Sequence, residues 1–513
     1  MATNLVSSGL AQQTLTFFAL GGSGIRAIEP LLHLCALGLG PRRLKLVLID
    51  PDQGNAAVTR SRQLLDLYRE TRSGIAEGGA PDGYFRTEVI DAVGSTLVWS
   101  PIAVDQHMAD ASFKARVHAP LMQHQNTAPL GHLFNLLFGE RLRNMDLGLG
   151  FRGVPSVGTV FMNRLREEQF MQQLLTEAGI EAASVFFAVG SIFGGTGAAA
   201  FPVVGRILTD GIAGEGERSA VAGIQPRRVG GALLLPYFTL PTPKSAAAPD
   251  GGPRPETALF AQNAVAAIPT YTDRQAGYGS LYVLGDSQPR EQDANEVGGE
   301  RQNNRAHYVE LFAALAALDF AARGGEAAQE ELPVFRTVAV GASNVGWSDL
   351  PLDDTSRRRL MGGFVAAHTF LSVCRPDGGS HPNLARHLKG VTWMEELGLR
   401  ASSLRQHSAA FDNLGRFFQR LWEWGGELRA SSPALELLRS DGRKPTAVPL
   451  DETIEGRRGS KRRRVNQDGF EVFRHWNIAS HRRAGQGYRG FLEVMREGSE
   501  AFAHERFGES INV

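Results

Sequence analysis

Apolar residues gather in short, nearly unbroken runs separated by glycine-rich or polar turns, a rhythm that predicts buried parallel strands alternating with helices. The first run, residues 15–20, passes directly into Gly21, Gly22, Ser23 and Gly24 and then into a largely apolar helical stretch, 25–37. A second run, 44–49, ends in Asp50, Pro51 and Asp52, where a parallel strand opens its C-terminal end on a site. The unit returns at 185–189, followed by Gly190, the loop Gly194, Gly195, Thr196, Gly197 and a helix over about 198–208; a further strand is predicted at 232–235. Strands joined in this order by helices predict an α/β fold with a doubly wound, mostly parallel sheet.

Two stretches read as loop, 219–228 and the Pro/Ala/Gly-rich 241–255. Residues 304–322 are rich in alanine and leucine and apolar on more than one face, which predicts a buried central helix. A strand-like run at 334–340 opens a new unit. The chain is therefore expected to divide into a nucleotide-type domain, 10–325, that includes the central helix, and a smaller α+β domain, 333–513, ending in helices. Phe491, Val494, Met495 and Phe502 fall on one helical face, as core packing or as the face of a partner helix. The basic run 457–464 reads as a solvated loop or as a docking site for an acidic partner or nucleic acid.

A chain of 513 residues, 42% hydrophobic and 21% charged, has ordinary globular composition and length for more than one unit. Lys plus Arg equals Asp plus Glu at 54 each, so no global field selects nucleic acid or an anionic membrane, and neither is expected as a partner. Cys35 and Cys374 stand far apart, which excludes a disulfide framework or a thiolate zinc site and fits a reducing cytoplasm. Without a signal segment or a run of about 18 apolar residues, a cytoplasmic protein with no membrane span is expected.

Glycine between strand and helix lets the backbone approach a phosphate, while the helix N-terminus offers free N–H groups. Two such loops after different strands of one parallel sheet converge on the same sheet edge. No lysine follows a glycine, so a GxxxxGK[ST] phosphate loop is excluded. Gly22, Gly24 and Ala27 have GxGxxA spacing with Asp50 at the end of the next strand, which keeps an NAD(P)-dependent Rossmann oxidoreductase as an alternative.

The second loop separates these readings. Gly194, Gly195, Thr196 and Gly197, followed by Pro202, Val203 and Val204, resemble the signature loop and helix of the prokaryotic tubulin/FtsZ-like superfamily. On that resemblance Gly21, Gly22, Ser23, Gly24 and Arg26 correspond to the first phosphate-side loop, and Asp50, Asp52 and Gln53 to the acidic loop after the second strand. Residues 148–158, with Arg152 and Gly153, lie where the family has a γ-phosphate-sensing loop. Residues 233–241, containing Pro236, look like its strand and proline-aromatic loop, and Asn263 and Asn304 take the places of the amides that read guanine or ribose. The resemblance spans about 300 residues, with one specific motif.

The resemblance implies GTP or GDP as ligand, Mg²⁺ carried mainly by phosphates and water, head-to-tail self-assembly into filaments, and GTP hydrolysis at the interface between subunits. It leaves room for an unidentified protein partner at the C-terminal domain. The sequence departs from the family at Ala199, where the signature has glycine, and in lacking the Asn-x-Asp acidic loop. Asp319 and Asp349 are the candidate water-orienting acids acting in trans. With that element missing, a nucleotide-binding scaffold or switch that does not polymerise is a further alternative. His307 and Glu310 follow Asn304 at helical spacing, as a metal pair or as a buried polar cluster anchoring the helix.

Overall fold

The computed structural model describes residues 3–7, 9–76, 83–93, 97–102, 111–214, 220–242, 248, 251–272, 276–293, 299–300, 304–324, 334–337, 345–371, 392–399, 408–435, 466–480 and 487–507. The strands are β1 (Thr14–Leu20), β2 (Arg43–Ile49), β3 (Glu88–Asp91), β4 (Val98–Trp99), β5 (Ser184–Ser191), β6 (Val229–Leu234), β7 (Phe238–Thr239), β8 (Ser280–Leu284), β9 (Arg290–Glu291) and β10 (Val334–Thr337). The main sheet runs β10-β8-β6-β5-β1-β2-β3, with β4 also on β2, and every pairing is parallel. The short strands β7 and β9 pair separately. Leu20 stands opposite both Ile49 and Gly190, and Gly190 opposite Leu233, so the C-terminal ends of the four central strands are level.

The helices that matter here are α1 (Gly21–Arg26), α2 (Ile28–Ala36), α3 (Ala56–Ala76), α4 (Pro155–Met162), α5 (Gln169–Ile180), α6 (Thr196–Asp210), α7 (Thr257–Thr272), α8 (Tyr308–Ala322), α9 (Asp354–Thr369), α10 (Ser408–Ser431), α11 (Asn466–Ser480) and α12 (Gly487–Phe507). Strand periodicity divides β1 between two cores. Leu15, Phe17 and Ala19 join α2, α3 and α8, whereas Phe18 and Leu20 join α4, α5, α6 and α7. Each fully buried leucine or phenylalanine contributes roughly 2 kcal/mol, so a strand buried on both faces reads as a nearly continuous apolar run, as β1, β2 and β5 do, with Thr16 in β1 and Lys45 in β2 as the inner polar residues.

α8 is buried on every side from Val309 to Ala321, matching its apolar composition. One of its flanks meets the sheet and the rest is enclosed by the same cluster that holds α9, α10, α11 and α12. The expected boundary at 325–333 therefore does not divide the described core. β10 extends the main sheet rather than starting another, and the helices after it pack into the core of the first face. Phe417 of α10 meets Phe85 and Tyr68, and Trp424 meets His33 of α2. Phe491, Val494, Met495 and Phe502 are buried in this core as well. Among the described residues no helix is long and apolar enough to cross a membrane. Cys35 is buried; Cys374, the run 457–464 and residues 338–340 lie outside the described residues.

Candidate functional site

The chain enters the sheet at its middle, β1, builds outward through β2, β3 and β4, then returns to β5 and builds the other way through β6, β8 and β10. Connections that leave adjacent strands in opposite directions open a crevice beyond the C-terminal ends, here between β1 and β5. The structure has a cleft there of ≈ 890 Å³, counting its open mouth.

Both glycine loops line it. Gly21 has φ +70°, a conformation that penalises any side chain, and a Cβ there would lie 3.0 Å from the Gly197 nitrogen and 3.1 Å from the Thr196 Cβ. The two loops are thus in contact. At Gly197 a Cβ would meet the Ser191 nitrogen at 2.8 Å and the Leu20 carbonyl oxygen at 3.1 Å. α6 begins at this wall with Gly195 as its N-cap and no side-chain cap, which leaves its first N–H groups for a ligand.

A third loop completes the wall. Gly150 (φ +84°), Arg152 (φ +48°) and Gly153 (φ +77°) are all left-handed, and Arg152 is held there by burial and by its Nη2 donating to the Asp146 carbonyl at 3.1 Å. A left-handed non-glycine residue costs about 1–3 kcal/mol, a strain that clusters at functional sites. A Cβ on Gly195 would sit 2.7 Å from the Phe151 carbonyl carbon, so this loop packs directly on the signature loop. Arg152 is the one cationic side chain that lines the cleft among the described residues.

Asp50 and Asp52 close the cleft on the β2 side. Asp50 accepts from the Asp52 amide at 2.8 Å, and Asp52 from the amides of Gly299 at 2.7 Å and Gly54 at 3.2 Å. Burial, assisted by the charge of Asp52 and opposed by that one hydrogen bond, pushes the Asp50 carboxyl up to about 8. Burial also raises Asp52. Asn55, which sequence reasoning missed, lines the cleft too; its Oδ1 accepts from the Ala57 amide at 2.7 Å at the start of α3. Its only signal was proximity to the acidic loop.

On the β6 side the wall is apolar: Phe193, Phe238, Leu240, Pro255 and Phe260. The rings of Phe193 and Phe260 are 4.7 Å apart and Phe238 lies 5.7 and 5.8 Å from them. Phe238 and Leu240 belong to the 233–241 stretch that the resemblance pointed to and Pro255 ends the stretch read as loop, whereas Phe193 and Phe260 were not picked out from the sequence.

Several expected site residues have other work. Gly24 packs α1 onto β5, where a Cβ would lie 2.3 Å from the Val189 carbonyl oxygen. Arg26 does not face the cleft: it pairs with Glu310 and donates to the carbonyls of Asn304, at 3.1 Å, and Arg305. Gln53 is exposed outside the cleft, and Pro236 does not line it. Asn263 donates to the Phe193 carbonyl at 3.4 Å, and Asn304 lines a separate small cavity with Arg26, Arg60 and Glu310.

The candidate catalytic acids are also occupied. Asp319 accepts from Tyr282 at 2.6 Å, from Arg323 at 3.0 Å and from Thr3. Although burial works the other way, bonds from Arg323, Thr3 and Tyr282 hold its carboxyl below the usual range. Asp349 accepts from the Gly346 amide at 2.7 Å and caps a short turn. Neither lines the cleft.

His307 and Glu310 form the buried polar cluster. His307 Nδ1 accepts from the Val309 amide at 3.2 Å, Glu310 from the His307 amide at 3.0 Å, and Tyr237 donates to Glu310 at 3.1 Å. Burial, with Arg26 and Arg290 nearby, lowers His307 to about 3, so it caps α8 as a neutral ring.

Ala199, the departure from the signature, has a local compensation. A Cβ on Gly158 of α4 would lie 2.7 Å from that of Ala199, so the missing methyl on α4 makes room for the extra one on α6.

No protein-family model matches this chain, and no curated protein matches it. The cleft itself fits a phosphate ligand: glycine backbone, an uncapped helix start and one arginine converge there. Among the described residues no group of three His, Cys, Asp or Glu is disposed to hold a metal.

Proposed function

We propose that this chain is a tubulin/FtsZ-like protein that binds a nucleoside triphosphate, GTP on the resemblance, in the cleft between β1 and β5 and assembles head to tail with further copies. The observation that carries the reading is the contact between two glycine loops at the switch point, Gly21 against Thr196 and Gly197, with the uncapped start of α6 beside them. Arg152 supplies the positive charge for a terminal phosphate. An NAD(P)-dependent enzyme needs only the first loop and leaves the second loop and Arg152 without a role.

A slower, scaffold-like variant of this function is favoured on one point, the hydrogen bonding that takes up Asp319 and Asp349.

Light scattering and electron microscopy with GTP, GDP, ATP or no nucleotide, with phosphate release followed in the same tubes, test the proposal. Triphosphate-dependent filaments with phosphate release proportional to assembly are the expected outcome. Bound triphosphate without filaments reduces the protein to a nucleotide-dependent scaffold. No nucleotide bound at millimolar concentration removes the proposal altogether.

A further inference from the structure

The cleft is chemically divided along the sheet. Its polar side chains, Asp50, Asp52, Asn55 and Arg152 among them, flank the glycine loops, and its β6 end is the ring cluster Phe193, Phe238 and Phe260. From β2 to β6 the strand ends span three inter-strand spacings, about 14 Å. A ligand with a polyphosphate on the glycine loops would bring its far end to those rings.

At that end no polar side chain lines the cleft among the described residues. The two amides that would read a purine edge are elsewhere. Asn263 is bonded to the Phe193 carbonyl and so steadies the ring cluster from behind, and Asn304 belongs to another cavity. We infer that the ring system of the nucleotide is held by stacking on Phe238, which the buried rings of Phe193 and Phe260 back, rather than read by side-chain amides, so the site accepts guanine and adenine nucleotides alike. This rests on the reading of the cleft as a nucleotide site.

Stacking tolerates any base because every base has a π-face, whereas a site built from hydrogen bonds rejects the wrong edge by orders of magnitude. Phe238 is the least buried ring of the three and is the one to change. Titration calorimetry of the full chain with Mg-GTP and Mg-ATP should give dissociation constants within about tenfold of each other. Phe238→Ala should weaken both by about tenfold, and Phe238→Trp should keep both, with circular dichroism establishing that each variant is folded.

GTP bound more than about a hundredfold tighter than ATP overturns the inference while leaving the nucleotide site intact. Unchanged affinity for both in folded Phe238→Ala does the same. Failure of the unaltered protein to bind either nucleotide overturns the inference and the proposed function together.

Discussion

Asp50 is a carboxyl that burial keeps protonated well above its ordinary range, with about 8 in the folded chain against an unfolded value of 3.8. Between those values the native state holds a proton that the unfolded chain has lost, so stability falls as pH rises through the window. Glu29, raised by burial to about 7, adds the same sign over a narrower range. Replacing the carboxyl with an amide removes the dependence. Asp50→Asn should therefore raise the melting temperature of the nucleotide-free protein by about 2 °C at pH 8 and change it little at pH 4.5. Thermal melts across that range check it, and a variant equally shifted at both pH values would show that Asp50 is ionised throughout. Arg152 makes the complementary point about a single residue: the resemblance pointed to its loop, and the loop lines the cleft, but its left-handed backbone is invisible in a one-letter sequence.

α4 and α6 are matched at one spot, Gly158 against Ala199. The signature helix carries its methyl there, and the facing helix gives up its own. Gly158→Ala places two Cβ atoms 2.7 Å apart and also meets the Phe151 ring at 2.8 Å, in the loop that carries Arg152. Overpacking of this kind costs about 1–3 kcal/mol. The expected result is a lower melting temperature together with weaker nucleotide binding, because the strain falls on the loop that touches Gly195. Ala199→Gly should relieve the clash with Ala199, so the double variant should recover part of the lost stability; a double variant no better than Gly158→Ala would locate the cost at Phe151 alone.

The whole molecule is tied across its length by charge as well as by apolar packing. Arg60 of α3 bonds Glu29 of α2 at 2.8 Å and both oxygens of Glu427 of α10 at 3.0 and 2.9 Å, and Glu427 also accepts from the Ala306 amide at 2.8 Å, just before α8. The start of the central helix is therefore bound to a helix about 120 residues further along. Because α10 packs on α3, and α8 is buried within the core that α9, α10 and α12 share, a chain ending at residue 325 would expose apolar surface of this core. Such a truncation should be insoluble or lack a cooperative thermal transition. A soluble fragment with a sharp melt would instead establish 10–325 as an independent folding unit.

The mostly parallel α/β class, the strands β1, β2, β5 and β6, the glycine loops and the buried central helix were determined by the sequence itself, because strand and helix burial impose their own periods and a glycine turn leaves a local mark. Gly21, Gly22, Ser23, Asp50, Asp52 and the 194–197 loop were legible as cleft residues for the same reason: each directly follows a parallel strand, and parallel strands end on one edge. The direction in which each polar side chain turns was not legible. Arg26 turning to Glu310, Asn263 turning to the Phe193 carbonyl and Asp319 bonded by Tyr282, Thr3 and Arg323 depend on partners up to 316 positions away. Phe193 and Phe260 of the phenylalanine wall were hidden because an apolar residue lining a cleft has the same sequence signature as one in the core. Only the tertiary structure decided that β10 joins the first sheet and that the later helices share its core, since long-range packing leaves no periodicity in the chain.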